Sequence, residues 1–295
     1  MSKKGRVINK VQGFYYVDCN GETFECKLRG ILKRKENKNN CVVGDEVEIS
    51  EDNSIVKIEE RKNLLERPIV ANIDYFVIQF SAKDPNIDFE RLNIMLLRSF
   101  SYKIKPLVVI NKIDLLDENE LNEIKERLNF LKEINIEVFY ISKKNNIGIE
   151  ELKLILKNRT SAFGGPSGVG KSSIINMLQS EKVLEVGETS KRLKRGKHTT
   201  KDTNLLPLKE GGYIIDTPGF SSVELPNIKD ARELMGLFLE FEDKGQCKFN
   251  NCNHINEPNC RIKEAVENNI IDRNRYEFYK KVYEKLKEER WNRYE

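Results

Sequence analysis

The sequence predicts an α/β domain with a mostly parallel sheet, preceded by an all-β barrel and followed by a helical domain built on a metal cluster. Three observations predict it. A phosphate-loop pattern, Gly165-Pro166-Ser167-Gly168-Val169-Gly170-Lys171-Ser172, follows an apolar run and precedes a helix-like stretch. The tetrapeptide Asn111-Lys112-Ile113-Asp114 also follows an apolar run, but lies about fifty residues before that loop, where an ordinary GTPase has it after. Cys247, Cys252, His254 and Cys260 crowd a segment without strand character. The inverted motif order implies a circularly permuted sheet, with further domains attached at both new ends.

Composition bounds the partners. The 295 residues suffice for two or three domains, and 39% hydrophobic with 33% charged residues describes a packed core under a very wet surface. No apolar run approaches the roughly 20 residues that span a bilayer. The basic start, Met1 to Arg6, lacks the apolar core of a signal peptide, so a cytoplasmic protein with no membrane partner is expected. Net charge is only +4, yet Lys191, Arg192, Lys194, Arg195, Lys197 and Lys201 form a run without acidic residues, which suits phosphate attraction. The basic stretch from Arg273 to Arg293 is diluted by Glu and reads equally as a solvated helix face. Cys19, Cys26 and Cys41 are scattered and read as small buried apolar side chains.

Residues 1–66 read as short strands: Gly5-Arg6-Val7-Ile8, Phe14 to Val17, Thr23 to Leu28, and a pair at Gly44 to Ile49 and Ser54 to Ile58, with Asn20-Gly21 as a hairpin turn. Four or five strands in this length suit a barrel of the OB type. Lys33, Arg34, Lys35 and Lys38 lie between strands, as a solvated loop or an RNA contact. Residues 67–222 alternate strand and helix. Tyr75 to Phe80, Leu107 to Ile110 and Val138 to Ile141 are apolar strand runs. Phe89 to Phe100, the Leu121, Ile124, Leu128, Leu131 series and the Ile149, Leu152, Ile155, Leu156 series have helical spacing. In residues 223–295, 228–242 and 261–293 are helix-like, with the Cys/His cluster between them.

The motifs then carry the chemistry. Glycines of the phosphate loop let backbone amides turn inward onto phosphate, and the following helix N-terminus adds partial positive charge. Lys171 would reach the β- and γ-phosphates and the Ser172 hydroxyl would join Mg²⁺. Asp114 can accept from the paired guanine N1–H and N2 amino donors; adenine has no such pair and would leave a carboxylate poorly satisfied. Asn111 would brace neighbouring loops, and Lys112 would lie along the base. Ser142, with Lys143 and Lys144 after a strand, fits a loop behind that base. Asp216-Thr217-Pro218-Gly219 also follows a strand: Asp216 would reach Mg²⁺ through water, the Gly219 amide would sense the γ-phosphate, and Thr199 or Thr200 would close over the ion. Phe220 stands where many GTPases place a water-orienting Gln, and the nearest replacement is His198, which a structural role would fit as well. Three thiolates and an imidazole within fourteen residues suit one closed, structural tetrahedral Zn²⁺ site without a vacant position for catalysis.

Together these residues resemble the circularly permuted, ribosome small-subunit-dependent GTPases of bacteria. The resemblance covers nearly the whole chain. It runs from the barrel through Arg67-Pro68, Ala71-Asn72-Ile73-Asp74, Gly165 to Ser173, Arg195-Gly196-Lys197-His198-Thr199-Thr200 and Asp216 to Gly219, and ends with the zinc cluster around Glu257-Pro258. It implies an α/β P-loop GTPase domain, circularly permuted, with an N-terminal OB-fold and a C-terminal α-helical zinc-binding domain. It implies GTP hydrolysis to GDP, stimulated by the 30S subunit late in its maturation, with 16S rRNA as the bound surface, His198 as catalytic residue, and a monomer. The chain departs from the family at Lys201, where a third Thr is common, and at Lys143, where Ala is usual. Two rival readings are a non-catalytic GTP-dependent RNA-binding switch and another translation-associated P-loop NTPase. An Asp114→Asn variant is expected to move nucleotide preference from guanine toward xanthine in competition titrations; an unchanged preference would remove Asp114 from base recognition.

Overall fold

The structure, a computed structural model, describes residues 2–33, 40–66, 68–179, 203–216 and 224–291. The first body is a closed barrel of β1 (Lys3–Val11), β2 (Phe14–Cys19), β3 (Glu22–Leu28), β4 (Glu46–Ile49) and β5 (Ser54–Ile58), in the order β1-β2-β3-β5-β4. A short helix, α1 (Gly30–Lys33), leaves β3. Asn20 and Gly21 both take positive φ, 57° and 90°, which is the turn geometry that joins two twisted antiparallel strands. Alternate residues point inward, and Val7, Val17, Val47 and Ile55 fill the barrel with Cys26 and Cys41. Burial pushes the Cys26 thiol up to about 11, so it is an inert packing group rather than a nucleophile. Of the predicted basic loop, residues 34–39 lie outside the described residues.

A hairpin the sequence reading did not foresee, β6 (Leu64–Glu66) with β7 (Ile69–Ala71), leads out of the barrel. The second body follows: β8 (Tyr75–Ser81), α2 (Phe89–Ser101), β9 (Lys105–Asn111), α3 (Glu118–Arg127), α4 (Phe130–Glu133), β10 (Val138–Tyr140), α5 (Ile149–Leu156), β11 (Arg159–Gly164), α6 (Lys171–Leu178), β12 (Asn204–Pro207) and β13 (Gly212–Asp216). Its strands run in the order β10-β9-β8-β11-β13-β12, all parallel except the antiparallel edge strand β12. β8 is buried along nearly its whole length, as a central strand covered on both faces must be. The expected single helix through Leu121 to Leu131 is two, because the chain tightens at Leu128 and Asn129 before α4.

The third body contains α7 (Ala231–Gly236), α8 (Arg261–Glu267) and α9 (Arg273–Trp291). The predicted helix over 261–293 breaks because Asn269 takes a left-handed φ of 56°, and Asp272 then accepts the Arg275 N–H at 2.9 Å to start α9.

Polar contacts join the bodies. The Arg6 side chain on β1 donates to the Thr160 hydroxyl on β11, and the Tyr213 hydroxyl on β13 donates to Asp18 Oδ2 at 2.8 Å. At the other junction Arg275 is 1% exposed. Its guanidinium donates to both oxygens of Glu240, at 2.6 and 3.2 Å, and to Asn93 Oδ1 on α2 at 3.0 Å. Removing one member leaves the other charge buried and alone. Glu240→Ala is therefore expected to cost about 3–5 kcal/mol in urea unfolding, and Glu240→Leu combined with Arg275→Met should recover most of it. A loss below about 1 kcal/mol would show that the pair carries little of this junction.

Candidate nucleotide site and metal cluster

The parallel strands end on one edge of the sheet, where ligands of open α/β sheets bind. β11 runs into the phosphate loop, β9 into Asn111-Lys112-Ile113-Asp114, β10 into Ser142, and β13 ends on Asp216. The sequence therefore separates what the sheet order brings together.

The loop turns through three glycines at positive φ: Gly165 at 141°, Gly168 at 82° and Gly170 at 90°. A Cβ on Gly165 would lie 2.0 Å from the Gln79 carbonyl oxygen, so any side chain there would collide with β8. Ser167 and Gly168 are exposed at the rim and Val169 is buried. Gly170 caps α6, and no side chain caps that helix, which leaves its first-turn amides without a side-chain acceptor. Lys171 Nζ folds back to the Gly165 and Pro166 carbonyls at 2.8 and 2.5 Å. Burial, then the Arg91 charge, lowers its pKa, so an arriving phosphate would restore what this ammonium lacks. Ser172 is exposed on the first turn of α6.

Asn111 is buried, and its Nδ2 donates to the Val169 carbonyl at 3.0 Å. Lys112 is in the left-handed region at φ 62° and reaches the Asp84 carbonyl at 2.5 Å. Ile113 N–H bonds to the Ile141 carbonyl at 3.3 Å, tying this loop to the one after β10. Ser142 is fully buried, and its hydroxyl accepts from Asn145 N–H at 3.1 Å and donates to Asp114 Oδ1 at 2.5 Å. One carboxylate oxygen is thereby held, which sets the orientation of Asp114. Lys143 Nζ donates to Ser173 Oγ at 2.6 Å, bridging to α6. The sequence reading missed this bridge and also Gln79, whose amide reaches the loop from β8. A signal for Gln79 existed: an amide in the middle of an apolar, doubly covered strand needs a partner. His198, Thr199, Thr200, Gly219 and the side chain of Asp216 lie outside the described residues, as do Lys191 to Lys201 and Phe220.

In the third body, the ligand atoms of Cys247, Cys252, His254 and Cys260 all lie within 4.8 Å of one another. Cys247 Sγ is 3.9 Å from Cys260 Sγ, and His254 Nδ1 is 3.3 Å from that sulfur. Zinc–sulfur bonds of about 2.3 Å in a tetrahedron give edges of this size. The shell around them is ordered. Tyr276 and Tyr279 donate to the His254 and Asn253 carbonyls, each at 2.6 Å. Burial raises the Glu257 carboxyl, but the amides of Asn253, Ile255 and Asn256 outweigh it and hold it below its ordinary value, anchoring the loop. Soft sulfur donors with one imidazole in a closed, half-buried cluster fit a structural divalent metal.

A permuted parallel sheet with a phosphate loop and a guanine-type acceptor loop on one edge defines the class: a circularly permuted P-loop GTPase. The family model described as RsgA GTPase matches residues 53–226, and that described as RsgA N-terminal domain matches residues 4–55. The chain belongs to the RsgA GTPase family. The small ribosomal subunit biogenesis GTPase RsgA of Fusobacterium nucleatum is 63% identical over 286 residues, covering 97% of this chain and 100% of that one. The crystal structure of YjeQ from Thermotoga maritima superposes with a TM-score of 0.82 at 36% identity, over 97% of this chain and 99% of that one. YloQ, described as a circularly permuted GTPase, gives 0.81 at 29% identity, over 98% and 96%.

The metal cluster should behave as a staple. Treating the protein with a strong chelator is expected to release one equivalent of metal, make Cys247, Cys252 and Cys260 reactive to a thiol reagent, and lower the melting temperature. Unchanged melting after complete metal removal would show that the cluster is not structural.

Proposed function

We propose that this GTPase acts in late maturation of the 30S ribosomal subunit, hydrolysing GTP to GDP on docking to 16S rRNA. The observation that carries the proposal is the gathering of phosphate loop, base-reading loop and Ser142 on one sheet edge, in a chain that matches a small-subunit biogenesis GTPase end to end. No helix among the described residues is long and apolar enough to cross a membrane. A site in the cytoplasm, as a monomer, suits such a task.

Residues 1–66 would form the RNA-binding barrel, 67–222 the GTPase domain and 223–295 the zinc-binding domain. The nucleotide would be bound by Gly165 to Ser173, with Lys171 on the β- and γ-phosphates and Asp114, oriented by Ser142, on the guanine edge. Asn111, Lys112 and Ile113 would shape the base pocket. Ser172, one of Thr199 and Thr200, and Asp216 would hold Mg²⁺, which when bound offsets charge on the phosphates. Gly219 would sense the γ-phosphate. Cys247, Cys252, His254 and Cys260 would hold one structural Zn²⁺.

Hydrolysis needs an oriented water, and Phe220 supplies no polar group. His198 would take that role when the subunit is bound. Without the subunit, turnover is slow because the site is incomplete. Phosphate release should therefore rise strongly when purified 30S subunits are added. His198→Ala should bind GTP with unchanged affinity and lose that stimulation. Full stimulation in the variant would refute the role of His198, and no stimulation of the wild type would refute the subunit as activator.

A further inference from the structure

The base-reading loop and the centre of β8 converge on one atom of the phosphate loop. Asn111 Nδ2 and Gln79 Nε2 each donate to the Val169 carbonyl oxygen at 3.0 Å. Gln79 is fully buried, on the strand between β9 and β11. Two donors on the two lone pairs of one carbonyl fix the plane of its peptide as well as its direction. A trans peptide points its N–H opposite to its C=O. With the Val169 oxygen drawn toward Gln79 and Asn111, the Gly170 N–H faces the other way, away from those two side chains.

The neighbouring residues conform to this arrangement. A Cβ on Gly170 would lie 2.5 Å from Asn111 Nδ2 and 3.7 Å from Gln79 Nε2, so the two amides occupy the space a side chain would need. The Gln79 carbonyl also abuts Gly165, so one β8 residue contacts the loop at both its ends, with backbone and side chain. Neither carboxamide oxygen, Gln79 Oε1 or Asn111 Oδ1, has a hydrogen-bond partner among the described residues. Burying an unpaired acceptor costs stability. Gln79 is therefore a poor choice for core packing alone, and the bond it makes to the loop is its return.

We propose that Gln79 is a positioning residue for the nucleotide: with Asn111 it clamps the Val169 carbonyl so that the Gly170 amide is aimed at phosphate before GTP arrives. It touches neither base nor phosphate. It acts on GTP and GDP alike, because both carry the β-phosphate the loop cradles. The inference rests on the phosphate-loop reading above and adds a residue to it.

The test uses the full chain and titration calorimetry with GTP, GDP and xanthosine triphosphate. Gln79→Met keeps the approximate volume and removes both the donor and the orphaned acceptor; Gln79→Leu removes the same two groups with a different apolar shape. One lost hydrogen bond predicts affinities for GTP and GDP about three- to tenfold weaker in both variants. Preference for guanine over xanthine should stay as in the wild type. The nucleotide-free melting temperature of Gln79→Met should not fall, since an unpaired buried acceptor has gone with the donor. Combining Gln79→Met with Asn111→Ala should weaken binding by more than the product of the single effects, because only then is the carbonyl left unpaired. Wild-type affinity in both single variants would overturn the clamp. So would a lowered melting temperature with unaltered affinity, the mark of a packing residue. If the wild type itself bound no guanine nucleotide, the phosphate-loop reading would fall first and the clamp with it.

Discussion

The nucleotide site depends on how one carbonyl is turned. Val169 points its oxygen into the domain, where side-chain amides from two strands receive it. Everything on the solvent side follows. A trans peptide with its oxygen turned inward turns the Gly170 N–H the other way, and glycines at 165, 168 and 170 allow the backbone to make the turn. Lys171 bridges the Gly165 and Pro166 carbonyls across the loop. The loop after β9 is tied to the same atom through Asn111, so the two candidate nucleotide loops share a common anchor.

Around this anchor the three bodies are joined by polar links set in apolar packing. Tyr213 lies on β13, the strand that ends on Asp216, and its hydroxyl is held by Asp18 of the barrel. Burial and the Asp18 carboxylate both raise the Tyr213 pKa, so the phenol stays a donor. The barrel therefore grips the sheet on the strand that ends at Asp216. On the opposite flank, Arg275 reaches from α9 to Asn93 on α2, while Phe238 stacks beneath its guanidinium at 4.6 Å. A desolvated fork with three oxygen partners holds the helices in one register more strictly than an apolar contact would.

Much of this was legible in the linear chain, for physical reasons. Phosphate loops need glycines and a lysine at fixed spacing, so Gly165 to Ser172 announces itself. Ligand spacing likewise marked Cys247, Cys252, His254 and Cys260, whose donor atoms converge in the fold. The strand and helix runs around both loops were visible as apolar periodicity. Less visible were β12, four residues with a proline on an edge, and the hairpin at residues 64–71, too short to show a period. The break at Asn269 escaped notice because asparagine can stay in a helix or leave it, and the split before α4 because it falls at Leu128, a helix-favouring residue that departs from helical geometry at ψ 2°.

The sequence by itself determined the chemistry: which residues could bind phosphate, guanine and metal, and that the chain order was permuted. Those follow from residue type and short spacing, which are local properties. Only the tertiary structure decided which groups meet. Ser142 on Asp114, Lys143 on Ser173, Gln79 on Val169 and Asp18 on Tyr213 are pairs separated by 28, 30, 90 and 195 residues. Such pairs are set by strand order and register in the sheet, and no local pattern in the chain encodes them.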